Sequence, residues 1–538
     1  MQKDKPHSKE KAETKAFVDQ GQKEREAEQA PQETPENVQT EKMQWRRRTK
    51  RSDSIGWQDR TDVSTPTQPP IRRQDENAKE QAVEVSAEHA PKDEPMKKDE
   101  SAMQFQELPS ETMDLVIGFD LGTSCSKVII RSPFALRSRA IAVPWHLKNG
   151  TSKYLLPTVL YENDYGEFSL VPSDSTKHVL RDLKINLMDK IDDTRAQAHA
   201  AAYIGLALRS ARQWLLDTQK DAYGIYHLRW ALNIGIPSAG YNDENMRPTF
   251  GLVARAAWKL SLQPDLPTLN TATEALRIAR DKSDSVDIDV VPEIAAEVVG
   301  YARSRLRSEG LHVMVDVGAS TIDICGFVLH SRDGEDRYEL LTALVKRLGI
   351  HDLHLRRLNK IKATDACVKP SVPTSLSPCM VIPNTGREYI NDPSDLLSKK
   401  LDEIDQNYVS ECTTSLMSLI MALRRCRDPY SSNWNSGLPV FVAGGGGQFS
   451  LVRNAIKQAH ERLINTQKDV AGIAAQRLPT LETLQNRDIP DSIAGRLAVA
   501  YGLSFDKFDI GQIRQPHEIG DVPRIPLRSQ PKTPPPWV

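Results

Sequence analysis

LVIGFDLGTSCSKVIIRS (115–132) and HVMVDVGASTIDICGFVL (312–329) decide the fold. Each reads as an apolar strand, a glycine-containing turn and a second apolar strand. Their turns share a D-x-G-x-S pattern, Asp120-Leu121-Gly122-Thr123-Ser124 and Asp316-Val317-Gly318-Ala319-Ser320. A repeated strand–turn–strand unit, separated by about half of the folded stretch, predicts a duplicated α/β fold with two similar lobes facing each other.

Around these hairpins the pattern alternates between strands and helices. WALNIGI (230–236) reads as a strand, and LPVFVAGGGG (438–447) as a buried strand running into a glycine turn. Helices are predicted over 196–218, 247–261, 292–307, 410–427, 448–462 and 496–503. The stretch 363–393, with its prolines and serines, reads as an irregular insertion.

Residues 1–112 are rich in Lys, Glu, Gln, Asp and Pro and have no apolar period, so they are predicted to be a disordered charged arm. Its basic cluster, Trp45-Arg46-Arg47-Arg48-Thr49-Lys50-Arg51, reads as a solvated charge run. Composition changes abruptly at Asp114. A folded domain is expected over 113–506, and a polar, proline-containing tail over 507–538. The net charge of -1 gives no reason to expect a nucleic-acid partner. No apolar run approaches the roughly 18 residues of a membrane span, so no membrane partner is expected. The N-terminus lacks the apolar stretch of a secretory signal. Six scattered cysteines without a CxxC pair read as reduced thiols, and the expected location is cytoplasmic. His351 and His354 have H-x-x-H spacing without the glutamate of a zinc helix, and read as a helix surface.

The turns suit a phosphate chain. Gly122 and Gly318 let backbone N–H groups approach oxygens without a Cβ in the way. Thr123, Ser124, Ser320 and Thr321 add hydroxyl donors. Asp120 and Asp316 are suited to Mg²⁺, held directly or through its waters. Gly444-Gly445-Gly446-Gly447, between a strand and a helix, offers a third close approach, to a nucleoside or an α-phosphate.

Five segments, in order, resemble the actin-like ATPase superfamily. GFDLGTSCSKVII (118–130) and VDVGASTID (315–323) resemble its two phosphate motifs, and VFVAGGGGQFSLVRNAI (440–456) its adenosine motif. PEIAAEVVGYA (292–302) and DSIAGRLAVAYG (491–502) resemble its two connecting helices. IPSAGYNDENMR (236–247), LGIHDLHLRRL (348–358) and RDLKINL (181–187) are similar to segments of its DnaK-type heat-shock chaperone branch. The resemblance implies a two-lobed actin-like fold with ribonuclease-H-like lobes that binds and hydrolyses ATP with Mg²⁺. It implies that Lys184, Glu293, Asp316 and Thr321 are catalytic. Lys184 would contact the γ-phosphate and the attacking water. Glu293 would orient water or magnesium, and Thr321 would bond the γ-phosphate. Asp120 and Asp316 would organise Mg²⁺. Gly122, Thr123, Ser124, Gly318, Ala319, Ser320, Gly444, Gly445, Gly446 and Gly447 would hold the nucleotide. The small residues of the connecting helices would let them cross at a hinge.

The chain also departs from that pattern. Gln448 stands where the chaperones have an arginine, and the adenine-gripping helix has no clear counterpart. After Leu503 too little chain remains for a peptide-binding domain. A protein partner or client is implied but not identified. Three other readings stay open: a filament-forming bacterial-actin relative, a small-molecule kinase, and a scaffold that senses ATP without turnover.

Overall fold

The computed structural model describes residues 111–520, apart from 135–138, 146–151, 239, 282–285, 366, 374–380, 392–393, 480 and 482. The expected disordered arm lies outside the described residues, except for Glu111 and Thr112, which open the first strand. The described residues are mixed α/β, built on two large sheets and one small one.

The first sheet contains β1 (Glu111–Asp120), β2 (Cys125–Ser132), β3 (Arg139–Ala142), β4 (Tyr226–Ile236) and β5 (Asp287–Pro292), in the order β3-β2-β1-β4-β5. β1, β2 and β3 pair antiparallel, whereas β1, β4 and β5 pair parallel. The central strand β1 is covered on both faces, hence its unbroken buried run from Leu115 to Asp120. A small sheet over 160–180 and helices α1 (Leu183–Asp189), α2 (Thr194–Thr218), α3 (Met246–Ser261) and α4 (Leu269–Ile278) pack with the first sheet. Asp193 caps α2 by accepting from the Arg195 N–H. Gly205 lets α2 lie directly on Ala257 of α3.

The second sheet contains β6 (Gly310–Val317), β7 (Ile322–Arg332), β8 (Glu335–Lys346), β9 (Leu438–Ala443), β10 (Ile473–Arg477) and β11 (Gln512–Arg514). Its order is β10-β9-β6-β7-β8-β11. Again three strands are antiparallel (β6, β7, β8) and three parallel (β6, β9, β10). Read from the first hairpin of each, both sheets have the order third, second, first, fourth, fifth. Helices α5 (Glu293–Ala302), α6 (Ile350–Thr364), α7 (Asp395–Ala422), α8 (Ser450–Thr466) and α9 (Ala498–Leu503) complete the described core.

α5 and α9 sit between the sheets. One apolar cluster joins Ile129 of β2, Val299 of α5, Phe327 of β7 and Ala500 of α9. Small residues make this crossing possible. A Cβ on Gly502 would stand 1.7 Å from the Ala296 carbonyl oxygen, and one on Gly118 would stand 2.3 Å from that of Ala500.

Several boundaries differ from expectation. α5 stops at Ala302 rather than 307, because the Ser304 amide and hydroxyl both bond back to the Tyr301 carbonyl. α7 begins fifteen residues before 410, where Ser394 caps it by accepting from the Leu397 N–H. Its early turns bury Leu397 and Leu401 against the insertion. The segment from 507, polar in sequence, supplies β11, held by Arg514 to Glu339 at 2.7 Å. Backbone pairing to β8 needs no apolar side chains, so hydropathy did not reveal it. His354 is buried, 2.8 Å from the Tyr389 hydroxyl, rather than on a helix surface. Cys325, Cys367, Cys412 and Cys426 are free thiols, but Cys125 is disulfide-bonded, against the expectation that all six are reduced.

Candidate functional site

The two D-x-G-x-S turns end β1 and β6 in the same register. Asp120 stands directly across from Lys127, and Asp316 directly across from Asp323. Residues opposite each other on antiparallel strands share one face, so these pairs meet. In the first hairpin Lys127 Nζ donates to Asp120 Oδ2 at 2.8 Å. In the second two carboxyl groups face each other. Burial first, and then Glu293, push Asp316 up to about 6. Burial, and then Asp316, push Asp323 up to about 8. Asp323 Oδ2 accepts the Ser238 N–H at 3.3 Å, and its Oδ1 has no hydrogen-bond partner.

Between the hairpins lies a buried ion pair. Lys184 Nζ is 2.6 Å from Glu293 Oε1, and both side chains are buried. Lys184 is the second residue of α1, whose N-cap, Asp182, adopts a left-handed conformation (φ 56). That conformation is uncommon outside glycine and costs of order 1–2 kcal/mol. Burial disfavours the Lys184 ammonium, but Glu293, Asp120 and Asp316 outweigh it and raise its pKa. Burial raises the Glu293 pKa, against the pull of Lys184 and with the help of Asp120. One turn further along α5, Glu297 is buried and raised well above the usual carboxylate range, by burial first and then by Asp316. Its Oε2 has no hydrogen-bond partner.

The turns themselves are shaped by close backbone packing. Gly122 is required because a Cβ would strike the Cys125 carbonyl at 2.2 Å. Thr158 Oγ1 donates to the Gly122 carbonyl at 2.7 Å. In the second turn Gly318 N–H donates to the Thr321 carbonyl. The N–H groups of Gly349, Ile350 and His351, opening α6, donate to the carbonyls of Ser320, Gly318 and Ala319. The turn's carbonyls therefore point at α6. Among the described residues, the N–H groups of Thr123, Ser124, Ala319 and Ser320 donate to no backbone carbonyl. Gly444 docks the third turn on the second: its φ is 75, and a Cβ there would lie 2.0 Å from Asp316 Oδ1. Gly446 N–H donates to the Val317 carbonyl at 2.8 Å, and a Cβ on Gly446 would strike Ile350. Gly447 packs on the Ala443 carbonyl, and Gly445 is exposed.

The fold thus brings Asp120, Lys184, Glu293 and Asp316 into one charged cluster, with the turns 122–124, 318–321 and 444–447 at its rim. The Thr321 hydroxyl is in the second turn and makes no hydrogen bond to these groups. Sequence reading missed Lys127, Glu297, Asp323 and Arg496. Hairpin register was the available signal for Lys127 and Asp323, each seven residues after its motif aspartate; nothing local marked Glu297 or Arg496. Gln448 is exposed. Beyond the third turn, a groove of about 400 Å³ lies between α7 and α8, lined by Gln406, Val409, Leu451 and Asn454. Among the described residues no three His, Cys, Asp or Glu side chains form a ready-made metal cage. The excess of carboxylates over lysines, with orphaned oxygens on Glu297 and Asp323, nonetheless fits a cation entering with other ligands.

No helix among the described residues is long and apolar enough to cross a membrane. No family model matches the chain, and no curated protein matches it.

Proposed function

We propose that this chain binds and hydrolyses Mg-ATP in the cleft between two actin-like lobes, in the manner of a heat-shock chaperone nucleotide-binding domain. One observation carries the reading: two hairpins in one register and a glycine turn converge on the Lys184–Glu293 pair. The N–H groups of Thr123, Ser124, Ala319 and Ser320 donate to phosphate oxygens. Lys184, held as an ammonium, stabilises charge developing on the γ-phosphoryl group. Glu293, as Lys184 turns to phosphate, accepts a hydrogen bond from the attacking water. The Thr321 hydroxyl donates to the γ-phosphate. Asp316 and Asp120 would hold Mg²⁺, which when bound neutralises phosphate charge.

Closure has a weak latch. Arg347, at the end of the second lobe's β8, is 2.6 Å from Asp189 on α1, and both are half exposed. Such a pair is worth about 0–1 kcal/mol, so opening the lobes costs little at this point. One observation favours a second reading, a scaffold that senses ATP without turnover: Lys127 already neutralises Asp120. Calorimetry with Mg-ATP and measurement of phosphate release test both. Binding with release supports the ATPase. Binding without release selects the scaffold, and no binding overturns both.

A further inference from the structure

The segment 491–503 is not one continuous α-helix. Its middle, Gly495–Leu497, tightens into a 3₁₀ turn before α9 begins. Such a turn inside a helix re-aims the side chains it carries. Here it carries Arg496, whose guanidinium lies over the glycine turn. A Cβ on Gly445 would stand 3.2 Å from Nε, 3.4 Å from Cζ and 3.6 Å from Nη2. Gly445 leaves that face bare. Gly495 beside it faces open space, since a Cβ there would have nothing within 4 Å.

Arg496 is only partly exposed, yet it makes no ion pair or hydrogen bond among the described residues. A half-buried guanidinium without an anion is costly. Burial lowers its pKa, and the charge of Asp120 pulls the other way. The glycine turn brings no cation of its own, because Gln448 follows it. Its bare flank at Gly445 is a backbone surface with a guanidinium already beside it.

We infer that Arg496 is a phosphate-binding residue, clamping the α- or β-phosphate of a nucleoside polyphosphate against the Gly444–Gly447 turn. This rests on the nucleotide reading above. A planar fork of donors suits phosphate better than a single ammonium does. Because Arg496 belongs to the segment that crosses α5 between the lobes, the same contact reports phosphate occupancy to the hinge.

Titration calorimetry of the full chain with Mg-ATP and Mg-ADP tests this on wild type, Arg496→Gln and Arg496→Lys. Arg496→Gln is expected to weaken both nucleotides by about 10–100-fold, the loss of a charge-assisted hydrogen bond. Arg496→Lys is expected to lose clearly less. Unchanged affinity in Arg496→Gln overturns the inference. So does a loss for ATP alone, which would place the contact at the γ-phosphate. Equal losses in the Gln and Lys variants would make the residue structural and also overturn it. A wild type that binds neither nucleotide removes the underlying reading, and the inference with it.

Discussion

Lys184 Nζ and Glu293 Oε1 lie 2.6 Å apart across 109 residues of chain, each buried and each the other's partner. One lies in the first turn of α1 and the other opens α5, so the pair ties α1 to a helix packed between the two large sheets. Lys184→Ala is expected to slow phosphate release by about 10²–10³-fold while changing ATP affinity much less. Single-turnover hydrolysis beside equilibrium binding checks this. Lys190→Ala, exposed just past the same helix, is the control and should match wild type.

The acidic second hairpin sets a pH dependence. Asp323 is raised to about 8, far above an ordinary aspartate near 3.9 in the unfolded chain. Between these values the native state holds a proton that the unfolded state has lost. Stability from this group therefore falls as pH rises from about 4 to about 8. Nucleotide-free protein is expected to melt at a lower temperature at pH 8.5 than at pH 5.5. Asp323→Asn should flatten that slope and raise the melting temperature at the higher pH. Calorimetric scans at both values decide it, and an unchanged slope in the variant would count against the assignment.

Gly444 combines a left-handed backbone with a contact to Asp316, whereas Gly334 has the backbone alone. Their φ values are 75 and 84, and a Cβ on Gly334 would meet nothing within 4 Å. Gly334→Ala is expected to cost about 1 kcal/mol, the conformational penalty by itself. Gly444→Ala adds a clash with Asp316 and the Val317 carbonyl, and is expected to cost about 3 kcal/mol or more. Denaturant unfolding of the two variants separates strain from clash, and equal costs would refute the docking of the third turn on the second.

At the crossing of α5 and α9, Gly502→Ala puts a methyl group 1.7 Å from the Ala296 carbonyl oxygen. Both helices are packed into the apolar cluster between the sheets. The variant is expected to lose about 3 kcal/mol or more, or to hold the two large sheets further apart. Thermal melting together with the radius of gyration from small-angle scattering distinguishes the two outcomes. Wild-type values for both would show that the crossing is soft.

Much of this was legible in sequence because period and chemistry coincide in short stretches. The hairpins of Asp120 and Asp316 announce themselves by apolar strands and by a turn glycine. So does the strand into Gly444, where a single feature is both topological and chemical. Other parts were hidden for physical reasons. Lys127 and Asp323 become neighbours of the motif aspartates only through ladder register, and Glu297 looks like any helix carboxylate until its surroundings close over it. Arg496 is aimed by a 3₁₀ turn that propensity does not mark. β11 is recruited by backbone pairing to β8 and by Arg514, features that leave no apolar trace.

The crossing of α5 and α9 also constrains how the chain is made. α9 and Phe505 belong to the apolar cluster between the sheets, yet they lie near the end of the folded stretch. During synthesis both hairpins and α5 leave the ribosome long before the helix that covers them. Val299, Phe327 and the face of β1 at Gly118 stay open to water until residues 497–505 emerge. Contacts of such long sequence separation form late, and the exposed apolar surface is open to association in the meantime. This core is therefore closed only by residues near the end of the folded stretch, α9 first and Ile510 after it.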